Sequence, residues 1–261
     1  MKQTGKRLYS PLGREINQEF RKPYVIGICG GPSSGKSTVA KLIKDQLPRA
    51  TILNLINFYQ PLRGNLRRKS RADSLIDEGV KAKEQIKTEI REVYKHSDFD
   101  APESIDWNLL NKGVTSLKNG QPFNKPIYDD ETMIRTAETE HIKPSSVIII
   151  EGHLIFCNEE LMRLMDLKVF IDTDDDVRLS RKVLKIARKH PNDKTKISDF
   201  LLKYEEFVKP SYEKFIEPTK KYADIILPNY GFSTEDKLDV DQMHIPAIDL
   251  IIKRVLSEHP M

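Results

Sequence analysis

Residues Gly30-Gly31-Pro32-Ser33-Ser34-Gly35-Lys36-Ser37 form a complete G-x-x-x-x-G-K-[ST] loop. It is set between the apolar run Tyr24 to Cys29 and a helix-like stretch, Thr38 to Leu47. No other feature limits the fold so sharply, because this loop requires a strand before it and a helix after it. Its glycines let several backbone N–H groups turn inward, and the helix start adds the positive end of its dipole. Lys36 is placed to reach terminal phosphates and the Ser37 hydroxyl to ligate Mg²⁺, with Thr38 completing the cradle. The loop implies binding of a nucleoside triphosphate.

Five short β-rich runs stand out: Tyr24 to Cys29, Thr51 to Leu55, Val147 to Ile150, Lys168 to Ile171, and Asp224 to Leu227. They are continuously apolar, as strands of a parallel sheet are when helices cover both faces. The expected architecture is therefore α/β, a P-loop three-layer α/β/α sandwich with a mostly parallel five-stranded sheet. Ligands are expected outside the carboxyl ends of the strands. One domain is expected over residues 23–261, after a basic arm at 1–22. Polar insertions are expected at about 60–98 and 229–244.

Net charge is +4, from 43 basic and 39 acidic side chains, so the surface is mixed rather than strongly basic. Arg63, Arg67, Arg68, Lys69 and Arg71 cluster before Asp73, yet no aromatic interleaves them, and nucleic acid is not an expected partner. Beyond this cluster Ile86, Ile90 and Val93 share one helical face. The segment Pro61 to Asp98 is thus a candidate surface for a protein partner, with a lid or simple self-packing as the alternatives. No apolar run approaches the roughly 18 residues of a membrane span. Cys29 and Cys157 suit two reduced, buried thiols. The expected location is cytoplasmic, with mitochondrial import as the alternative that the six Lys/Arg of residues 1–22 suggest.

Glu151 closes the run Val147 to Ile150, where an acid in phosphate-loop proteins holds Mg²⁺, and Ser37 with Glu151 is the expected metal pair. After the fourth run, Arg178, Lys182, Lys185 and Lys189 share one helical face and could clamp a phosphoryl group; a solvated amphipathic helix explains the same spacing.

The order and spacing of these landmarks resemble the uridine kinase (uridine-cytidine kinase) family, within the wider phosphoribulokinase/uridine kinase group. Further matches are Asn57-Phe58-Tyr59, Phe99-Asp100-x-Pro102, Pro126-Ile127-Tyr128, Asp172-Thr173-Asp174 with Arg178-Leu179-Ser180-Arg181, and Phe207-Val208-Lys209-Pro210. The resemblance covers most of residues 24 to 257 and implies ATP, Mg²⁺ and transfer of the γ-phosphate to the 5′-hydroxyl of uridine or cytidine. It also implies substrate contacts at Asp100, Tyr128, Arg135 and Lys182. Where the family carries the aspartate that takes the hydroxyl proton, this chain has Ile56. The pyrimidine grip is replaced by Asp130 and Met133, and the arginine-rich lid by Lys185 to Pro191. General-base help is worth ~10²- to 10⁴-fold, so its loss matters. Two expectations follow. One is a uridine-kinase-like pseudoenzyme that binds ATP and serves as an oligomer or assembly subunit. The other is an active nucleoside or riboside kinase in which a different carboxylate, such as Asp100, replaces the base, with Arg181 supplying positive charge.

Overall fold

In the computed structural model, the described residues are 21–47, 49–60, 98–129, 134–229 and 246–260, with the two-residue strands Leu8–Tyr9 and Glu15–Ile16 described by their pairing alone. The expected insertions therefore lie outside the described residues except at their edges, as do Asp130 and Met133.

The chain forms β1 (Tyr24–Gly30), α1 (Lys36–Gln46), β2 (Ala50–Asn54), α2 (Trp107–Lys118), β3 (Phe123–Asp129), β4 (Ile134–Ile142) and β5 (Val147–Glu151). Then follow α3 (Glu159–Leu164), β6 (Leu167–Asp172), α4 (Asp175–Lys189), α5 (Thr195–Lys203), β7 (Ile225–Pro228) and α6 (Pro246–Glu258). The main sheet has the order β2-β5-β1-β6-β7, and every pairing in it is parallel. All five expected strands are present, within a residue or two at each end.

Two cores explain why these runs are apolar at successive positions. Side chains alternate across a strand. Tyr24, Ile26 and Ile28 of β1, with Val147 and Ile149 of β5, pack on one face against Val39 and Ile43 of α1 and Ile248, Ile252 and Val255 of α6. Val25 and Cys29, with Ile148 and Ile150, pack on the other face against Leu110, Val114 and Leu117 of α2 and Leu161 of α3. β1 and β5 are buried along their whole length because each serves both cores.

Side-chain caps fix where α2 and α3 begin: Asp106 accepts from the Leu109 N–H at 3.1 Å, and Asn158 from the Leu161 N–H at 2.7 Å. β3 and β4 form a separate antiparallel hairpin. After α5 the chain continues as wide π-type turns at Tyr204–Val208 and Tyr212–Ile216, separated by Lys209–Ser211. Pro210 in that separator has no N–H to give to the helical ladder, which accounts for the irregular register.

Candidate active site

β1 is flanked by β5 on one side and β6 on the other, so connections leave its carboxyl end in opposite directions and a crevice opens there. The loop 31–35 occupies that end. Ser33 and Gly35 hold left-handed backbone at φ 61° and 99°. Gly35 is also the residue before α1, and a Cβ there would run into the Asn229 amide. Neighbouring elements tie down the loop carbonyls. The Asn229 amide donates to Ser34 O at 2.7 Å, Thr173 Oγ1 to the same oxygen at 3.2 Å, and Arg181 Nη1 to Ser33 O at 3.4 Å. With the carbonyls engaged outward, the loop presents the N-terminal end of α1 to the crevice, a ready anion site.

Lys36 Nζ rests on Gly31 O at 2.7 Å. Burial pushes its pKa down, and the Glu151 carboxylate opposes that shift. The Ser34 hydroxyl is buried with no partner. A half-buried ammonium and an unsatisfied buried hydroxyl at a helix start are what a bound phosphate would satisfy, so Gly30, Gly31, Ser33, Ser34, Gly35, Lys36, Ser37 and Thr38 fit a triphosphate.

Ser37 and Glu151, the candidate metal ligands, lie against each other. Ser37 Oγ donates to Glu151 Oε2 at 2.7 Å, and Asn54 Nδ2 donates to Oε1 at 2.8 Å. Glu151 is 5 % exposed; burial raises its pKa, while Ser37, Lys36 and Asn54 pull it down. Among the described residues no cluster of three or more His, Cys, Asp or Glu could hold a metal by itself. The Ser37 and Glu151 oxygens suit Mg²⁺, which takes one or two protein oxygens and fills its octahedron with phosphate and water. Bound there, the ion would neutralise charge on the phosphate oxygens.

The second half of the crevice is aromatic. The Tyr59 ring lies 5.3 Å from Phe99, 5.5 Å from Tyr128 and 6.5 Å from His153. Arg135 binds this wall from behind, with Nη2 on Tyr59 O at 2.7 Å and Nη1 on Asp106 at 3.1 Å, while its buried Nε has no partner. Asp100 joins the group. Its Oδ1 is 3.4 Å from His153 Nε2. Burial, and then the nearby Asp98 carboxylate, push the Asp100 pKa up to about 6, against the pull of Lys182, Lys36 and Arg178. His153 is pushed the other way, to about 3, by burial and then by Lys36, so its ring is neutral and the contact with Asp100 is no ion pair at neutral pH. The structure thus brings Asp100, Tyr128 and Arg135 to one wall, with Lys182 close enough to act on Asp100.

Ile56 lies where the sequence places it, just past β2 in the turn Leu55–Phe58, its N–H held by Asn54 Oδ1 at 2.9 Å. The proposed row of cations does not stay together. Arg178 is 3 % exposed, with its guanidinium 3.8 Å over the Tyr212 ring and paired with Asp175. A Cβ on Gly31 would sit 2.5 Å from Arg178 Nη1, so this arginine braces the loop from inside. Lys185 and Lys189, by contrast, are exposed. The reason is the flat Tyr212 ring, which supplies an apolar and electrostatic seat for a guanidinium.

Sequence reasoning missed His153, Asn229 and Tyr212. His153 stands two residues after Glu151, and Asn229 directly follows the last strand, so position at strand carboxyl ends could have marked both. Of the two thiols expected to be buried, Cys29 is and Cys157 is only half-buried; burial pushes Cys29 up to about 11 and Cys157 to about 12, and both are free.

An all-parallel sheet of this order, with a phosphate loop after its central strand and an acid at the end of the next, defines a P-loop kinase-type α/β protein. The sequence model described as the phosphoribulokinase/uridine kinase family matches residues 25–234, and the chain belongs to that family. Members use ATP with Mg²⁺ as the phosphate donor. A uridine kinase of Limosilactobacillus reuteri (strain DSM 20016) is 34 % identical over 243 residues, covering 92 % of this chain and 98 % of that protein. Uridine-cytidine kinase B of Dictyostelium discoideum is 33 % identical, over 91 % of this chain and 83 % of its own length. Among solved structures, phosphoribulokinase from Rhodobacter spheroides superposes with a TM-score of 0.53 at 17 % identity, covering 86 % of this chain and 75 % of that one, a likeness of fold. Among the described residues no helix is long and apolar enough to cross a membrane.

Proposed function

We propose that the protein is an ATP-dependent kinase that phosphorylates a hydroxyl of a nucleoside-like acceptor, with Asp100 taking the proton that the residue at Ile56 cannot. The observation that carries this reading is the Asp100 carboxylate, 3.4 Å from His153 Nε2, close enough to Lys36 and Lys182 to feel their charge, and raised to about 6. A base with a pKa close to working pH is both ionised and able to hold a proton. In the step, the acceptor oxygen bonds to the γ-phosphorus and its proton passes to Asp100. The bond to the β,γ-bridging oxygen breaks, and ADP leaves. Lys36, Lys182 and Arg181 would offset the phosphate charge, Ser37 and Glu151 would hold Mg²⁺, and the Tyr59, Phe99 and Tyr128 rings, inclined to one another by 50° to 84°, would offer ring faces and edges to a planar base. The relatives named uridine kinase support a nucleoside as the acceptor class.

The test is phosphoryl transfer from ATP and Mg²⁺ to a panel of nucleosides and ribosides, by wild type and Asp100→Asn. Turnover by the wild type and a ~10²- to 10⁴-fold lower kcat in the variant are expected. A variant within a few fold of wild type refutes the role of Asp100.

Ile56 favours a second reading, the pseudoenzyme that binds ATP and works as an oligomer or assembly subunit through protein partners on Pro61 to Asp98. Its mark is tight ATP binding with no turnover of any acceptor, together with a native mass above the monomer that falls when 61–98 is replaced by a short linker.

A further inference from the structure

Building on the reading of Asp100 as proton acceptor, we infer that Asp98 and Ser211 form a bracket that positions the Asp100 carboxylate, with Asp98 and Ser211 as positioning residues.

Asp98 is tied at both oxygens. Its Oδ1 accepts from the Asp100 backbone N–H at 2.8 Å, and its Oδ2 accepts from Ser211 Oγ at 2.6 Å. The first bond fixes the turn from which the Asp100 side chain projects. The second anchors that turn to a remote part of the chain. Ser211 is 4 % exposed, so its hydroxyl is committed to this contact rather than to water, and leaving a buried polar group unpaired is costly. The loop is further stiffened by Ser104 Oγ, which reaches Ala101 O at 2.6 Å.

Ser211 reaches Asp98 because of the irregular helix around it. Lys209–Ser211 sits between the two π-type turns, and insertions of this kind often serve functional sites. The residue after Ser211 is Tyr212, which seats the Arg178 guanidinium. Two adjacent residues of one helix thus place charges of opposite sign about Asp100: Asp98 through Ser211, and Arg178 through Tyr212. The groups acting on Asp100 are Asp98 on its own loop, His153 after β5, Lys36 on α1, and Arg178 and Lys182 on α4. Asp98 is the like charge among them. Held close by Ser211 it disfavours ionisation of Asp100; released to solvent it would not.

The experiment is a carbon-13 carboxyl NMR titration of the full chain, with the Asp100 signal identified by its loss in Asp100→Asn. Asp98→Asn keeps the oxygen that accepts from the Asp100 N–H and removes the charge, so the Asp100 midpoint should move down by about one pH unit. Ser211→Ala should move it in the same direction, and kcat should fall about tenfold in both variants with KM for ATP unchanged. If Ser211→Ala does not fold, Asp98→Asn decides. An Asp100 midpoint that stays at the wild-type position in Asp98→Asn overturns the bracket. A midpoint that moves in a protein with no turnover leaves the bracket standing and refutes the kinase reading instead.

Discussion

The two halves of the crevice are built on different principles. The phosphate-loop half is centred on one contiguous stretch, Gly30 to Ser37, and is closely tied: Ser33 O, Ser34 O, Lys36, Ser37 and both oxygens of the strand-end Glu151 have hydrogen-bond partners at 2.7 to 3.4 Å, and only the Ser34 hydroxyl among the buried side-chain polar atoms of this loop is left without one. The aromatic half is gathered from Tyr59, Phe99, Asp100, Tyr128, Arg135 and His153. It leaves Arg135 Nε and His153 Nε2 buried without a hydrogen bond, and it holds a carboxylate at a raised pKa. A cradle for an invariant ligand part can be locally encoded and rigid. A wall that must discriminate among acceptors is assembled from distant segments, and its unsatisfied groups, unlike the single Ser34 hydroxyl of the loop, come from separate elements.

The largest effect is expected on the tied half. Lys36→Ala removes the ammonium of the loop and should cut kcat/KM by ~10³-fold, with a matching loss of ATP affinity in calorimetry. Retention of wild-type affinity would erase the contrast between the halves. The acceptor half should instead announce itself by pH. Because Asp100 must be ionised to take a proton, kcat/KM is expected to rise through pH 6 and to fall about tenfold per pH unit below it. A flat profile between pH 5 and 7 contradicts that.

The same groups give stability effects of opposite sign. The Asp100 pKa is above its unfolded value, so ionising it costs folding energy, absent below about pH 4 and complete above about pH 6. Asp100→Asn should accordingly stabilise the unliganded protein at pH 8, by up to about 3 kcal/mol, while leaving stability at pH 4 nearly unchanged. His153 is below its unfolded value, so its contribution is present above pH 6.5 and is lost as pH falls toward 3. His153→Gln should flatten that acid limb. Chemical denaturation across pH measures both, and a Asp100→Asn protein no more stable at pH 8 would mean that the acceptor half is not held under this electrostatic load.

How far the sequence discloses each half follows the same division. Gly30 to Ser37 and Glu151 could be placed from the chain alone, because motif, strand and helix are adjacent, and five apolar runs gave the five parallel strands. The β3–β4 hairpin was missed because Pro126, Lys125 and Asn124 interrupt any apolar pattern, and among its described residues only Phe123, Pro126 and Ile142 are buried. Helical spacing puts Arg178 in one row with Lys182, Lys185 and Lys189, as a phosphoryl clamp or a solvated face. Spacing along α4 carries no information about Tyr212, which lies beyond α5 and takes that guanidinium out of solvent. The pair Asp98 and Ser211 was equally invisible, since neither residue signals its partner.

The smallest effect is expected from the substitution that the sequence alone would single out. Ile56→Asp restores a carboxylate at the family's base position, in a turn whose backbone is already fixed by Asn54 Oδ1. If Asp100 is the working base, a second carboxylate adds no missing function. It would place another like charge in a crevice where Asp98 already opposes Asp100, raising both carboxyl pKa values and leaving less ionised base at neutral pH. Groups that act as one catalytic unit do not add their effects. The expected kcat is within about tenfold of wild type, with the acid limb moved to higher pH. An increase of ~10²-fold or more in turnover of uridine would show that the lost aspartate is the limiting defect and that Asp100 does not replace it. The two halves would then differ by simple decay of one of them, rather than by a rebuilt acceptor wall.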